Sequence, residues 1–241
     1  MIKSIVDFLL DLIYPRNIYC IMCKNPIHTT EKYSLCKNCH KKVNWVNNSC
    51  EKCGKIISIH KTTNRCFDCI NNDHIFEKNM ACVLYDDNTK KLVHNFKFSK
   101  KTYLAYHMAE IMGDKLLKSN LEIDYMIPVP IHKNKKRKRG FNQSELLCKY
   151  ISKRTNIKTD YKTLIKYNET LEQNKLNKME RQKNLKNAFR VVHNENMVNK
   201  NILLVDDVFT TGSTIDACCD SLNKLKPKNI YSITFSIGKN T

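Results

Sequence analysis

Two groups of residues in this chain have types and spacings that do chemistry. The first lies in Ile202 to Thr214, which reads ILLVDDVFTTGST. Apolar residues run into two adjacent carboxylates, Asp206 and Asp207. A short loop of small and hydroxyl residues with one glycine follows, and then a helix-forming segment. That order builds a phosphate cradle at the carboxyl end of a parallel strand. The carboxylates suit sugar hydroxyls, and the backbone N–H groups of the loop and helix start suit a phosphate. One stretch therefore fits both ends of a ribose 5-phosphate. The second group is eight cysteines in four CxxC pairs: Cys20 and Cys23, Cys36 and Cys39, Cys50 and Cys53, Cys66 and Cys69.

Other readings of the acidic stretch make demands that the chain does not meet. A Walker-B strand needs a G-x-x-x-x-G-K-[ST] loop upstream, and the sequence has none. The acid pocket of a receiver domain has no use for Thr210, Thr211, Gly212, Ser213 and Thr214 directly behind the acids. A buried strand with a polar turn is the plain structural alternative. The whole string resembles the PRPP-binding signature of type I phosphoribosyltransferases.

The cysteines form an internal repeat. Corresponding cysteines are 30 residues apart, and twelve residues separate the two pairs within each copy. Two CxxC pairs at that spacing supply four tetrahedral thiolates, so two copies imply two structural zinc ions. A redox CxxC is the functional rival, disfavoured by four such pairs in tandem. Consecutive pairing puts Cys20, Cys23, Cys36 and Cys39 on one ion and Cys50, Cys53, Cys66 and Cys69 on the other. Interleaved pairing stays open. Four thiolates close the coordination shell, so neither zinc is expected to be catalytic. Trp45, between the copies, is expected to pack them together, with base stacking as its other use.

The elements that must position these groups follow from pattern. Residues 1–18 place apolar side chains at helical spacing, with Asp7 and Asp11 inside the pattern, and are expected to form a docking amphipathic helix rather than a membrane-surface one. No cleavable signal is recognised and no apolar run is long enough to span a bilayer, so a cytoplasmic location is expected. Residues 19–72 form the zinc module and 73–241 a larger domain. In the latter, strands are expected at 81–85, 125–129, 191–192, 202–205 and 230–237. Helices are expected at 89–98, 103–117, from 143 to about 153, and 214–225. Their alternation argues for a parallel α/β sheet. Residues 133–139, KNKKRKR, are expected as a basic loop, and 155–198 includes a polar stretch expected to move.

The formal net charge is +19, from 42 lysines and arginines against 23 acidic residues. That invites a nucleic-acid partner without locating it. Lysine and asparagine are abundant along the whole chain, so a merely soluble surface is the plain alternative. Arginine and glycine are scarce, with seven and five copies. A scarce arginine marks a place where planar bidentate geometry is wanted. A scarce glycine marks an unusual backbone position. Arg137, Arg139 and Gly140 share one basic segment, and Gly212 lies in the acidic loop.

With these parts in order, the chain resembles the ComF family (ComFC/GntX-like proteins) along almost its whole length. The segments that carry the resemblance are the paired cysteines, IPVP, RKRGFNQSELL at 137–147, TLEQNKLNKMERQKNLKNAF at 170–189, and ILLVDDVFTTGST. One departure is Asp86-Asp87 where a glycine is expected. The resemblance implies a type I phosphoribosyltransferase-like parallel sheet with an N-terminal double zinc ribbon. It implies that Asp206 and Asp207 bind the ribose hydroxyls and that Thr210 to Thr214 hold the 5-phosphate. Arg137, Arg139 and Gly140 would form the pyrophosphate side. Arg181 would close from a lid that also carries Thr170 and Gln173. Magnesium is implied with PRPP. So is a role in competence, with single-stranded DNA and DNA-uptake or recombination proteins as partners. Two functions stay open: phosphoribosyl transfer to an unidentified acceptor, and a non-catalytic PRPP- and DNA-binding accessory role.

Overall fold

The computed structural model describes residues 17–57, 63–99, 101–170, 185, 187–192 and 194–239. The expected N-terminal helix and the lid residues Gln173 and Arg181 lie outside the described residues, except for positions 17 and 18. The chain divides into two compact units, Met1–Asn44 and Trp45–Thr241. The second cysteine quartet therefore belongs to the same unit as the sheet.

The first unit is built on one turn-and-helix device. Cys20 opens a knuckle in which its N–H donates to Asn25 O and Lys24 N–H returns to Cys20 O, both at 2.9 Å. Cys36 then caps the short helix α1 (Lys37–Lys42), its sulfur accepting from Cys39 N–H. The second unit repeats the device 30 residues on. Gly54 N–H returns to Cys50 O at 2.9 Å, and Cys66 is the cap residue of α2 (Phe67–Asn71). Both knuckles need a left-handed residue at the same repeat position: Lys24 at φ 66° and Gly54 at φ 78°. Glycine is required in the second copy. A Cβ on Gly54 would meet Asn79 O at 2.8 Å.

Asn79 lies on β1 (Lys78–Leu84) and stitches this ribbon to the sheet. Its N–H donates to Lys52 O at 2.7 Å and its side-chain amide to Cys53 O at 2.8 Å. Trp45 makes an isolated bridge to Val83 on the same strand. Two helices follow β1: α3 (Asp87–Phe98) and α4 (Leu104–Leu117). Asp86, the departure noted above, caps α3. Its carboxylate accepts from Asn88 and Thr89 N–H while Thr89 Oγ1 takes Asp86 N–H, a reciprocal capping box.

The remaining elements are β2 (Tyr125–Pro128), α5 (Lys133–Arg139), α6 (Gln143–Thr155), β3 (Lys158–Thr159), β4 (Leu164–Lys166), β5 (Phe189–Val191), β6 (Asn201–Phe209), α7 (Ser213–Leu222) and β7 (Asn229–Ile237). The sheet order is β1-β7-β6-β2-β3, with every pairing parallel. Strands covered on both faces read as continuous apolar runs. Ile202 to Val205 are accordingly all fully buried. The basic segment expected as a loop is instead α5. Its turn is stopped by Gly140 at φ 88°, whose N–H caps Lys136 O. The strands β3 and β4 were not anticipated. β4 pairs antiparallel with β5 as a hairpin standing apart from the main sheet.

Topology decides where the site falls. From β2 the chain moves outward to β3, and from β6 it moves the other way to β7. The connections diverge at the carboxyl ends of β2 and β6, which leaves a crevice there. β2 keeps step with β6 as far as Pro128 opposite Val205. Beyond that point β6 runs on against β7 alone, carrying Asp206 and Asp207 past the end of β2.

Candidate functional site: a cleft with acids on one wall and cations on the other

A cavity of about 400 Å³ occupies this crevice. One wall is the end of β6 and the start of α7, Asp206 through Ile215. The opposite side brings Val129 and Pro130 after β2, Lys135 and Arg139 from α5, and Gln143 and Ser144 from α6. Lys97 from α3 and Lys166 and Phe189 from the hairpin complete it.

The acids are held in place. Asp206 Oδ1 accepts from Ser144 Oγ at 3.0 Å and from Asp207 N–H at 2.9 Å. Asp207 Oδ2 meets Lys97 Nζ at 2.9 Å. Burial pushes the Asp206 carboxyl up to about 7, and the neighbouring charge of Asp207 pushes in the same direction. Lys97 and the two hydrogen bonds pull the other way. Asp206 is thus poised to change charge near neutrality.

The loop after the acids ends in a helix start without a side-chain cap. Gly212 occupies the cap position of α7 at φ 80°, so no cap side chain takes the first N–H groups of the helix, and Gly212 to Ile215 line the cavity. Thr211 Oγ1 and Ser213 Oγ are 2.9 Å apart. Glycine is demanded twice over. A Cβ there would meet His74 Cε1 at 2.6 Å and Phe209 Cζ at 2.9 Å. His74 comes from the segment leaving the second ribbon. It stacks on Phe76 and places Nδ1 2.7 Å from Asp216 Oδ2, while Ile75 N–H donates to Asp216 Oδ1 at 2.9 Å. The segment that leaves the zinc module thereby braces the loop and the first turn of α7.

On the cationic side, Arg139 donates to Gln143 Oε1 and lays its guanidinium over the Phe98 ring at 5.1 Å. Lys166 donates to Thr170 Oγ1 at 2.7 Å. Burial, with Lys135 nearby, lowers its ammonium to about 8. Asn142 donates to Val129 O at 3.1 Å and caps α6, which fixes the helix that delivers Gln143 and Ser144.

Of the residues expected from sequence, Arg139, Asp206, Asp207, Thr210, Thr211, Gly212, Ser213 and Thr214 come together around one cavity. Arg137 is exposed on α5 and does not line it, and Gly140 serves as the helix stop. Lys97, Lys135, Lys166 and Ser144 line the cavity and were not singled out. Lysine is the default cation of this chain, so nothing in the sequence marked Lys97 or Lys166, and Lys135 stood out only as one member of the basic run at 133–139. Ser144 lies just behind Phe141, Asn142 and Gln143 at the start of α6.

The cysteines fall into two quartets. Cys20, Cys23, Cys36 and Cys39 have their sulfurs within 4.8 Å of one another, and so do Cys50, Cys53, Cys66 and Cys69. This is the consecutive pairing. Four converging thiols with closed geometry fit tetrahedral zinc. All four residues of the second quartet are buried. Cys82, Cys148, Cys218 and Cys219 are buried thiols outside the quartets, each pushed up by burial. No helix among the described residues is long and apolar enough to cross a membrane.

Comparison with known proteins agrees with this architecture. Residues 9–70 match the double zinc ribbon domain, and residues 142–240 match the phosphoribosyl transferase domain. Competence protein F of Haemophilus influenzae is 28% identical over 220 residues, covering 89% of this chain and 94% of that protein. The DNA utilization protein YhgH of Salmonella typhimurium is 29% identical over 204 residues, covering 81% of this chain and 86% of that one. Competence protein ComFC of Bacillus subtilis is 26% identical over 209 residues, covering 83% and 82%. The fold and the cysteine quartets define a phosphoribosyltransferase-like α/β protein with an N-terminal double zinc ribbon. Along most of its length the chain resembles the ComF competence proteins.

Proposed function

We propose that this protein binds PRPP, or a related phosphoribosyl ligand, in the cleft between β2 and β6, and serves natural competence and DNA uptake. The observation that carries the reading is the joining of two half-sites in one cavity: the Asp206–Asp207 carboxylates, and the uncapped start of α7 behind Gly212. The acids accept hydrogen bonds from the ribose hydroxyls. The N–H groups of 212–215 and the hydroxyls of Thr211, Ser213 and Thr214 take the 5-phosphate. Arg139, Lys135 and Lys166 face the pyrophosphate side with positive charge. The competence role is supported by the names of the relatives, competence proteins and DNA utilization proteins.

Transfer from PRPP would form a bond from an acceptor nucleophile to ribose C1 as the C1–O bond to pyrophosphate breaks. Pyrophosphate would leave with the electron pair, and the acceptor would shed its proton. The residues here would bind and orient the donor, and the cationic side would stabilise the leaving charge. Magnesium would serve at the pyrophosphate end, where it would polarise the departing group, while Asp206 and Asp207 take the ribose hydroxyls. Arg181 remains a candidate closing residue on the lid. Single-stranded DNA and DNA-uptake or recombination proteins are the proposed partners.

Incubating the protein with PRPP, magnesium and a panel of bases, nucleosides and DNA, and measuring pyrophosphate, separates the two functions. Acceptor-dependent release supports an enzyme. Tight PRPP binding with no release under any acceptor supports the accessory reading. Absence of PRPP binding would overturn both.

A further inference from the structure

The acidic half of the cleft already has a counter-ion of its own. Lys97 Nζ lies 2.9 Å from Asp207 Oδ2, and the two side chains are only 24% and 6% exposed. A pair this sheltered is little screened by solvent or salt. Lys97 does not arrive there on a loose arm. It sits at the last turn of α3, whose start is locked by the Asp86 capping box. Its predecessor Phe96 is fully buried and packs against Phe141, ring centroids 5.9 Å apart. Its successor Phe98 lies under the guanidinium of Arg139 at 5.1 Å. Two consecutive residues of α3 therefore reach both walls of the cleft, Lys97 to the acids and Phe98 to the basic helix α5.

Adjacent carboxylates, one of them as sheltered as Asp207, need positive charge before they present themselves as acceptors. A divalent ion would ordinarily supply it. Here one acid already carries an ammonium, and a second cation on that oxygen would be repelled by the first. We propose that Lys97 is the resident cation of this site, supplying the charge that lets Asp206 and Asp207 take the ribose diol of a phosphoribosyl ligand without a divalent metal. This rests on the phosphoribosyl reading above and adds to it a metal-independent mode of binding. A divalent ion then serves the pyrophosphate end and any later chemistry, not capture.

The test is calorimetric titration of the full-length protein with the sodium salt of PRPP. It is run with and without magnesium, in buffers cleared over a chelating resin rather than with EDTA, so that the zinc sites stay loaded. The wild type is compared with Lys97→Met and Lys97→Arg, each checked for zinc content and melting temperature. The wild type should bind within about threefold in the two buffers. Lys97→Met should lose about tenfold or more without magnesium, as a sheltered ion pair is lost, and recover with it. Lys97→Arg should stay near wild type in both. Wild-type binding that vanishes without magnesium overturns the inference while leaving PRPP as the ligand, and this arm needs no variant. Tighter binding by Lys97→Met in both buffers would also overturn it, because Lys97 would then be a competitor of the ligand. No binding by any protein in either buffer removes the phosphoribosyl reading itself.

Discussion

Asp206 shows how a ligand site is set against stability at a single side chain. Burial, with the charge of Asp207 beside it, pushes its folded carboxyl up to about 7 from the ordinary 3.8. Between those values the folded state holds a proton that the unfolded chain has released. Stability therefore falls as pH rises through that window. Asp206→Asn removes the cost of the charge. It should raise the melting temperature at pH 7.5 by roughly 2–4 °C, about 1 kcal/mol, while weakening PRPP binding at least tenfold. An unchanged or lower melting temperature would show that the carboxylate is not strained. For the native protein, PRPP affinity should drop as pH falls from 7.5 to 6, as Asp206 takes up its proton. Gly212→Ala brings both a left-handed φ and a Cβ lodged against His74 and Phe209. It should cost about 2–3 kcal/mol of stability and abolish ligand binding. These two positions were legible in sequence, since acids and a scarce glycine at fixed spacing state their role. Lys97 and Lys166 were not. A lysine among 35 carries no mark, and what makes these two distinctive is which helix and hairpin bring them to the cleft.

At the scale of elements, the second ribbon and the phosphate loop are one mechanical piece. Asn79 ties the Cys53 knuckle to β1, and the segment after Cys69 delivers His74 to Gly212 and Asp216. Cys53→Ser should lower zinc from two ions to one per chain. It should destabilise the unit by on the order of 3 kcal/mol and reduce PRPP affinity in parallel, although Cys53 does not line the cavity. Elemental analysis and titration check both halves. Full ligand affinity in a one-zinc protein would separate the ribbon from the loop. The strands of the parallel sheet and the helices beside them were readable from apolar runs and helical spacing. The two-residue β3 and the β4–β5 hairpin were not, because three polar-flanked residues carry too little period to declare a strand. The KNKKRKR segment misread as a loop is a helix for a related reason. Lysine and arginine are good helix formers, and Gly140 behind them is a stop signal that a charge-led reading passes over.

For the molecule as a whole, the +19 charge is a statement about partners rather than fold. If single-stranded DNA is bound through phosphate neutralisation, the logarithm of its affinity should fall linearly with the logarithm of salt, by about 0.7 for each phosphate contact released. A salt-independent affinity would assign the charge to composition alone. The family resemblance reached the double zinc ribbon and the transferase-like domain from sequence, because cysteine spacing and the acidic loop are local. The cleft itself is not local. It exists because connections diverge between β2 and β6, a property of strand order that no short motif states. The central claim is that this cleft holds a phosphoribosyl diphosphate. Titration of PRPP into the wild-type protein and into Asp206→Asn/Asp207→Asn, with ribose 5-phosphate and pyrophosphate as separate ligands, tests it most directly. Saturable one-to-one binding of PRPP, weaker binding of each fragment, and loss of PRPP binding in the double variant are the predicted result. Equal PRPP affinity in the wild type and the double variant would contradict the account.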